Sequence, residues 1–413
     1  MSTNYKKIIF KILKSYLFEI FSRNNRKFKK IKNEKSRKIA FYISPADFNP
    51  IISRKLTANK IDLIRNTINQ TGVHTFFLFR ENLNSHESIP ALLLKRERSI
   101  VKIGSKIHRL LILFVKTKLI SHEKNSILNP NQTAQSVLAE HLASCLKTSL
   151  IELNPKIIFS IGAKQELLQV TSEIGIPVVE VMHGVIQEED ITSMWCGKSK
   201  FKPNLVLTWH KHYTQMLKKF EVNAITLGYP SNAVERRKKQ PGQEIRVLVT
   251  LGHSHSHSSD PYGIFDEKLM NQIHKLSQQN IKFIFRNHPV VDSDKQINRK
   301  FTKWLQSRFD TCDIHSSHKK SLWDSLQDAD IHLSKSSSTF IEAALLGIPT
   351  IFTDNLQELR LPPEVIDQGI VFQGGNLDYQ ELQEIAGRSL PNVFEFMNVN
   401  ELLNQLNEYM NDK

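Results

Sequence analysis

Short apolar runs alternate with longer segments of mixed polarity along most of the chain. Such runs predict buried strands, and the mixed segments between them predict amphipathic helices. We expect strands at 38–44, 74–79, 156–162, 177–182, 204–209, 224–227, 245–251, 281–286, 330–333 and 350–352. We expect helices at 59–70, 165–174, 213–220, 267–279, 303–309, 322–327, 338–346 and 379–411, and a mostly helical pattern over 89–153.

This alternation predicts an α/β protein, because strands that alternate with helices form parallel sheets covered on both faces. The charged segment 235–243 contains a Pro-Gly pair and is typical of a linker. We therefore expect two doubly wound, Rossmann-like domains facing a cleft, at 38–234 and 244–378, followed by C-terminal helices at 379–413. The length of 413 residues fits two domains.

The first 37 residues form a basic arm with a different pattern. Lys7, Lys11 and Lys14 fall on one helical face, apolar residues cover the others, and a run of positive charge follows. The lysines interrupt the apolar stretch, so it fits neither a membrane span of ~30 Å nor a signal peptide. We expect an amphipathic helix that holds residues 5–38 on an anionic membrane surface. The alternative is a helix packed on its own domain.

The net charge of +15, from 56 Lys and Arg against 41 Asp and Glu, calls for an anionic partner. The excess lies mainly in the arm and the linker, a distribution that disfavours a nucleic-acid-binding domain face. The three cysteines are scattered, which indicates a reducing compartment. We expect a cytoplasmic protein, peripheral on the inner face of the cytoplasmic membrane. P-loop and nucleophile-elbow motifs do not occur in the sequence.

Segment 328–354 is the strongest candidate for a ligand site. A short strand there ends in a run of hydroxyl residues: Ser336, Ser337, Ser338 and Thr339. The following helix presents free N–H groups and a positive dipole that attract phosphate. Glu342, one turn into the helix, could accept hydrogen bonds from ribose hydroxyls. The alternative is a capped helix with an ordinary first-turn glutamate.

Three further residue groups follow predicted strands. Gly252 follows the strand 245–251 and allows close approach of a phosphate. Arg286 and His288 lie in an Arg-Asn-His-Pro turn fixed by the proline, where they could stabilise a leaving phosphate. The alternative for that turn is a strand end without a ligand.

His183, before Gly184 at the end of the strand 177–182, is our candidate for a general base. An acidic loop of Glu188, Glu189 and Asp190 could serve instead, or could be a solvated turn.

The alternating histidines at 253–257 have no carboxylate partner, so we expect a flexible loop there and no metal site. No tightly bound cofactor is expected.

Three of these motifs resemble those of known families. Residues 342–349 read EAALLGIP, similar to the E-x-A-x-x-G-x-P stretch of GT-B glycosyltransferases and of non-hydrolysing UDP-sugar epimerases. The Arg-Asn-His-Pro turn and the His-Gly pair are similar to motifs of bacterial capsule and wall-polymer transferases. The resemblance implies that Glu342 binds the donor ribose and that Ser336, Ser337, Ser338 and Thr339 hold its phosphates. Ser334 stands where retaining enzymes often carry a second glutamate, which favours inversion.

The resemblance implies a glycosyltransferase that moves a sugar from a nucleotide-sugar co-substrate to a capsule or lipopolysaccharide acceptor. The acceptor, a glycan or a lipid-linked glycan, would bind the first domain. Three alternatives stay open: a polyol-phosphate (CDP-alcohol) transferase, a UDP-sugar epimerase of the same fold, and a basic nucleic-acid-binding protein. The ribose-type Glu342 favours a nucleotide-sugar donor over a polyol-phosphate donor.

Overall fold

The structure, a computed structural model, describes residues 38–43, 74–80, 100–103, 143, 146–182, 184–196, 200–229, 243–251, 267–288, 295–309, 313–315, 320–375, 377–394, 401–402 and 404–406. The predictions for the basic arm, for most of the linker, for the helix at 59–70 and for the histidines at 253–257 lie outside these residues. Within them, no helix is long and apolar enough to cross a membrane.

The first domain contains a seven-stranded sheet in the order β3-β2-β1-β4-β5-β6-β7, with every neighbouring pair parallel. Its strands are β1 Lys38–Ile43, β2 His74–Arg80, β3 Ile100–Ile103, β4 Ile157–Ser160, β5 Val178–Val181, β6 Leu205–Thr208 and β7 Ala224–Thr226. The helices between its last four strands are α1 Gln165–Ile174, α2 Glu188–Trp195 and α3 Lys211–Lys219. The strand order reverses between β1 and β4, which is where a crevice opens in such sheets.

The second domain contains a six-stranded parallel sheet in the order β10-β9-β8-β11-β12-β13. Its strands are β8 Ile245–Thr250, β9 Ile281–Arg286, β10 Asp313–His315, β11 Ile331–Ser334, β12 Thr350–Phe352 and β13 Val371–Gln373. Its helices are α4 Glu267–Ser277, α5 Lys295–Arg308, α6 Leu322–Gln327, α7 Thr339–Leu345, α8 Pro363–Asp367 and α9 Tyr379–Ala386. The order reverses between β8 and β11, so the loops after these two strands flank one crevice.

Both faces of the second sheet are covered, which confirms the predicted doubly wound α/β class. Val247 and Val249 of β8 face α4, α5 and α9, whereas Leu248 faces α6 and α7. This is the two-residue period of a strand. Because both faces are buried, the strands appear in the sequence as continuous apolar runs.

The two domains share one hydrophobic core at their junction. Phe340 and Ile341 of α7 belong to the same buried cluster as the strands of the first sheet. The chain beyond α9 returns to this cluster through Phe394, Leu402 and Leu406. The predicted domain boundaries stay predictions, but the described contacts join the C-terminal segment to both domains.

Several local predictions were wrong. Residues 100–103 are not helical but form β3, which pairs with β2; a run this short carries too little periodicity to separate strand from helix. The predicted acidic loop is the first turn of α2, where the Gln187 N–H donates to Asp190 Oδ2 at 3.0 Å. The helical pattern expected over 379–411 is interrupted: α9 ends at Ala386 and residues 387–394 are irregular, whereas residues 401–402 and 404–406 are helical as predicted. The short elements β10, β13 and α8 were not predicted.

Candidate functional site

The hydroxyl run after β11 forms a tight turn into α7. Ser337 Oγ accepts a hydrogen bond from the Thr339 N–H at 3.2 Å and lies 2.8 Å from Thr339 Oγ1. Ser338 directly precedes the helix, but its side chain makes no capping hydrogen bond. Ser336 is exposed. Ser337 and Thr339 therefore contact each other and shape the turn, while the Ser338 side chain takes no part in capping.

Glu342 is buried at the junction of the two domains, with 7% of its surface exposed. Its Oε1 atom accepts a hydrogen bond from the Tyr229 hydroxyl. Its Oε2 atom is buried and has no hydrogen-bond partner among the described residues. A buried carboxylate oxygen without a partner is costly to the fold. A hydroxyl donated by a ligand would remove that cost.

Tyr229 belongs to the first domain, three residues beyond β7, and is only 2% exposed. Its backbone N–H donates to the Phe394 carbonyl at 3.2 Å, and its ring lies 4.9 Å from that of Trp209. Burial, together with the neighbouring Glu342 carboxylate, raises the pKa of the Tyr229 hydroxyl well above its usual value. The hydroxyl therefore stays protonated and acts as a donor. Sequence reasoning missed this residue, since only the fold brings it to Glu342.

The segment after β5 contacts the hydroxyl run of the second domain. A Cβ atom added to Gly184 would lie 3.2 Å from Ser338 Oγ and 3.3 Å from Ser338 Cβ. These distances leave little room for any side chain, so glycine allows the two segments to approach. His183 itself lies outside the described residues, as does Gly252 after β8. The structure thus brings the His-Gly segment and the hydroxyl run together across the junction.

Arg286 lies away from the hydroxyl run, on the other side of β8 in the second sheet. It ends β9, which β8 separates from β11. Its Nη1 atom donates to the Lys320 carbonyl and to Ser325 Oγ, both at 2.9 Å, and the residue is 5% exposed. These bonds hold the start of α6 against the sheet. His288 follows two residues later and is half-buried. The catalytic roles of Arg286 and His288 stay predictions.

Two buried polar residues that sequence reasoning missed make hydrogen bonds between neighbouring segments of the sheets. His332 in β11 is fully buried between two neighbouring strands, with Nε2 2.8 Å from Thr250 Oγ1 and Nδ1 3.0 Å from Thr350 Oγ1. Burial lowers its pKa to about 3, so the ring is neutral. Thr350 is the register partner of His332, whereas Thr250 lies two residues along from its partner Leu248, so the sequence alone does not bring the three together.

Glu180 in β5 is the second such residue and is 3% exposed. Its two carboxylate oxygens accept hydrogen bonds from the backbone N–H groups of Gly162 and Ala163, the latter at 3.0 Å. Gly162 has a φ of +63°, a conformation that favours glycine. Glu180 therefore fixes the loop after β4, at the point where the strand order of the first sheet reverses.

Exposed ion pairs and one cavity line the junction between the domains. Glu188, part of the alternative base group, lies 3.2 Å from Arg360 Nη1, and Lys211 Nζ lies 2.8 Å from Glu364 Oε1. A cavity of about 310 Å³ is lined by Trp209, His210, Lys211, Thr226, Glu364, Gln368 and Val393. Burial lowers the pKa of His210, which accepts the His212 N–H at 3.2 Å and so caps α3.

A larger cavity, of about 720 Å³, is lined by residues around the amino ends of β8 and β9, among them Glu244, Ile281 and Lys282. Parallel sheets bind their ligands at the opposite, carboxyl edge, so we do not place the candidate site there. Within the described part of the chain, no group of three His, Cys, Asp or Glu side chains could hold a metal ion.

Two doubly wound parallel sheets that meet at a junction, with the candidate residues at the carboxyl ends of their strands, define the GT-B fold. Neither the protein-family profiles nor the curated protein sequences searched give a match to the chain. Solved structures do. UDP-GlcNAc 2-epimerase from Neisseria meningitidis, bound to UDP-GlcNAc, is similar over 91% of this chain and 100% of that chain, at 12% identity and a TM-score of 0.54.

Two further structures show the same architecture. The S. aureus MnaA–UDP co-structure is similar over 91% of this chain and 97% of that chain, at 12% identity and a TM-score of 0.58. Sucrose-phosphate synthase from Thermosynechococcus elongatus is similar over 91% of this chain and 99% of that chain, at 11% identity and a TM-score of 0.53. At such identities the likeness establishes the fold alone.

Proposed function

We propose that this protein is a glycosyltransferase that takes a sugar from a nucleotide-sugar donor and transfers it to a surface glycan of the capsule or lipopolysaccharide type. One observation carries the proposal. At the carboxyl end of β11, buried Glu342 has one carboxylate oxygen without a described partner, and the hydroxyl run before it meets the segment that carries the His-Gly pair.

The donor would bind at the crevice between β8 and β11. A ribose hydroxyl would donate a hydrogen bond to Glu342 Oε2 and so give that buried oxygen a partner. The phosphates would contact Ser336 and Ser338, whose side chains are not used to cap α7. Gly252 follows β8, the neighbour of β11, so its backbone would flank the same phosphates. Ser337 and Thr339 would contribute by shaping the turn.

The acceptor would enter from the first domain, beside His183. In an inverting transfer, the acceptor oxygen bonds to the anomeric carbon while the bond from that carbon to the donor phosphate breaks. The nucleotide leaves with the electron pair, and His183 takes the acceptor proton. His288 would stabilise the charge that develops on the leaving phosphate. Arg286, bonded to Lys320 and Ser325, would fix the turn that carries His288.

The basic arm supplies the cellular context of the proposal. Residues 5–38 would hold the enzyme on the anionic inner face of the cytoplasmic membrane, where lipid-linked acceptors are exposed. This part of the proposal rests on the sequence pattern, because the arm lies outside the described residues. Binding to vesicles with and without anionic lipid, compared between the full chain and a chain lacking the arm, tests it.

A UDP-sugar epimerase is the second candidate. The structure of UDP-GlcNAc 2-epimerase from Neisseria meningitidis reaches a TM-score of 0.54 with this chain. The E-x-A-x-x-G-x-P motif occurs in both enzyme classes, so it does not separate them. An epimerase would convert the nucleotide sugar to an isomer without any acceptor, whereas a transferase would release the nucleotide only when an acceptor is present.

The first experiment is thermal unfolding of the full chain with UDP, GDP, CMP, CDP or dTDP, for the wild type, Glu342→Ala and the exposed control Glu384→Gln. A ligand at 100 times its Kd stabilises a protein by about 2.7 kcal/mol. We expect one nucleotide to raise the Tm of the wild type and the control but not of Glu342→Ala. If no nucleotide does so, the proposal is wrong.

The second experiment incubates the protein with the sugar form of the nucleotide that binds. Nucleotide release that depends on an added glycan acceptor, and that His183→Ala abolishes, supports the transferase. Formation of an isomeric nucleotide sugar without an acceptor supports the epimerase instead. Nucleotide release and isomer formation are read from the same chromatogram, so the two candidates are compared on one sample.

A further inference from the structure

The Tyr229 hydroxyl divides the Glu342 carboxylate into two unequal oxygens. It donates to Oε1, whereas Oε2 is buried with no partner among the described residues. Without such a bond, no described hydrogen bond would distinguish the two oxygens. The hydrogen bond therefore selects which oxygen stays open.

Tyr229 itself is held firmly in place. Its ring packs near Trp209 inside the shared core, and its backbone N–H donates to the Phe394 carbonyl. Its hydroxyl stays protonated because burial and the neighbouring carboxylate raise its pKa. A rigid donor of this kind orients an acceptor more precisely than a mobile surface group does.

The hydrogen bond also spans the two domains, since Tyr229 precedes the linker and Glu342 lies in α7. The orientation of the carboxylate thus depends on how the domains are seated. This residue pair is separated by 113 positions in the chain and is brought together only at the junction.

We infer that Tyr229 is a positioning residue for ribose recognition, holding Glu342 Oε1 so that Oε2 is the atom offered to the ribose hydroxyls of the donor. This inference rests on the proposed function, because it assigns Glu342 to a nucleotide. Tyr229 contacts the carboxylate and not the ligand, so its effect should be specific to the ribose part of the nucleotide.

The test measures Kd for the nucleotide that binds and for its 2′,3′-dideoxy counterpart, using calorimetry on the full chain. The Kd of the dideoxy nucleotide divided by the Kd of the ribonucleotide measures the preference for ribose, and this ratio reports ribose recognition alone. It is independent of any unfolded fraction, because both ligands bind the same folded molecules. The variants are Tyr229→Phe, Glu342→Gln and Tyr213→Phe.

Tyr213→Phe is the matched control. Tyr213 is also fully buried, and its hydroxyl has no hydrogen-bond partner among the described residues. Both tyrosine variants remove one buried hydroxyl at nearly constant volume, but only Tyr229→Phe removes the bond to Glu342.

We expect the wild type and Tyr213→Phe to prefer the ribonucleotide by the same ratio. Tyr229→Phe should lower that ratio about tenfold, the scale of one hydrogen bond to a charged group, and should leave the Kd of the dideoxy nucleotide unchanged. Glu342→Gln should lower the ratio as well.

The possible outcomes distinguish a failure of the Tyr229 inference from a failure of the proposed function. If Glu342→Gln lowers the ratio but Tyr229→Phe keeps the wild-type value, Glu342 binds ribose and the role of Tyr229 is overturned. If Tyr229→Phe weakens both ligands equally, its role is purely structural and the inference is again overturned. If the wild type binds no nucleotide, the proposed function fails and takes the inference with it.

Discussion

Glu180 and Glu342 are both buried carboxylates, one in each domain, and their surroundings differ in one respect. Each oxygen of Glu180 accepts a backbone N–H, from Gly162 and Ala163. Glu342 has a described partner for Oε1 only. Both lie near carboxyl ends of parallel strands, so neither position nor burial distinguishes them.

The difference shows how a buried charge can be assigned to the fold or to a ligand. A carboxylate whose oxygens are both bonded by its own chain stabilises the loop that supplies the donors. A carboxylate with an open oxygen carries an unmet desolvation cost that a bound molecule can relieve. Proteins tolerate such costs mainly at functional sites.

The largest effect is expected for Glu180→Gln. The substitution removes the charge and places an amide N–H₂ opposite a backbone N–H donor. We expect the free energy of unfolding to fall by about 2–4 kcal/mol, the scale of hydrogen bonds to a charged group that are left unmade. Urea denaturation, with exposed Glu189→Gln as the control, measures this. The nucleotide-induced rise in Tm should persist; its loss would mean that Glu180 also acts on the ligand.

His332 is a buried base whose two ring nitrogens both lie within hydrogen-bond distance of a threonine hydroxyl, as both oxygens of Glu180 have partners. Its pKa is about 3 in the folded protein and about 6.5 in the unfolded chain. Between these values only the unfolded chain takes up the proton. The free energy of unfolding should therefore decrease as the pH falls below about 6.5, by up to about 1.4 kcal/mol per pH unit. Urea denaturation at pH 7, 6 and 5 measures the slope.

His332→Gln keeps the possibility of bonds to Thr250 and Thr350 but cannot titrate. The variant should be less stable than the wild type at pH 7, and the gap should narrow as the pH falls. An unchanged gap across this range would show that His332 does not carry the acid sensitivity.

Glu342→Gln is the same chemical change as Glu180→Gln, but we expect it to weaken nucleotide binding and to have little effect on the free energy of unfolding. The amide oxygen can still accept from Tyr229, and the uncompensated charge is removed. We expect the free energy of unfolding to stay within about 1 kcal/mol of the wild type or to rise by that amount. Differential scanning calorimetry without and with the nucleotide checks both parts. A loss of stability comparable to that of Glu180→Gln would assign Glu342 to the fold.

The smallest effect is expected for the ion pair of Lys211 and Glu364 at the domain junction. Their side chains are 66% and 33% exposed, so solvent screens the attraction. A double-mutant cycle with Lys211→Gln and Glu364→Gln should give a coupling energy below about 1 kcal/mol. A larger value would show that this pair contributes measurably to holding the domains together, beside the shared core.

The sequence by itself determined the two sheets, most of the strands and the loops that carry the candidate chemistry. Parallel strands are buried on both faces, so a run such as 245–250 is mostly apolar and stands out from its surroundings. The E-x-A-x-x-G-x-P stretch likewise located the turn into α7 before its geometry was known. β3 and β10 escaped detection because runs of three or four residues carry little periodicity.

Only the tertiary structure decided how the candidate residues are used. The turn into α7 is capped by Ser337 and not by Ser338, Arg286 holds α6, and Glu180 binds the loop after β4. The bond between Tyr229 and Glu342 depends on how the two domains are seated against each other. Local sequence indicates which of the longer segments are strands and which are helices. The partner of a buried polar atom is set by packing between segments that are distant in the chain, and no local pattern records it.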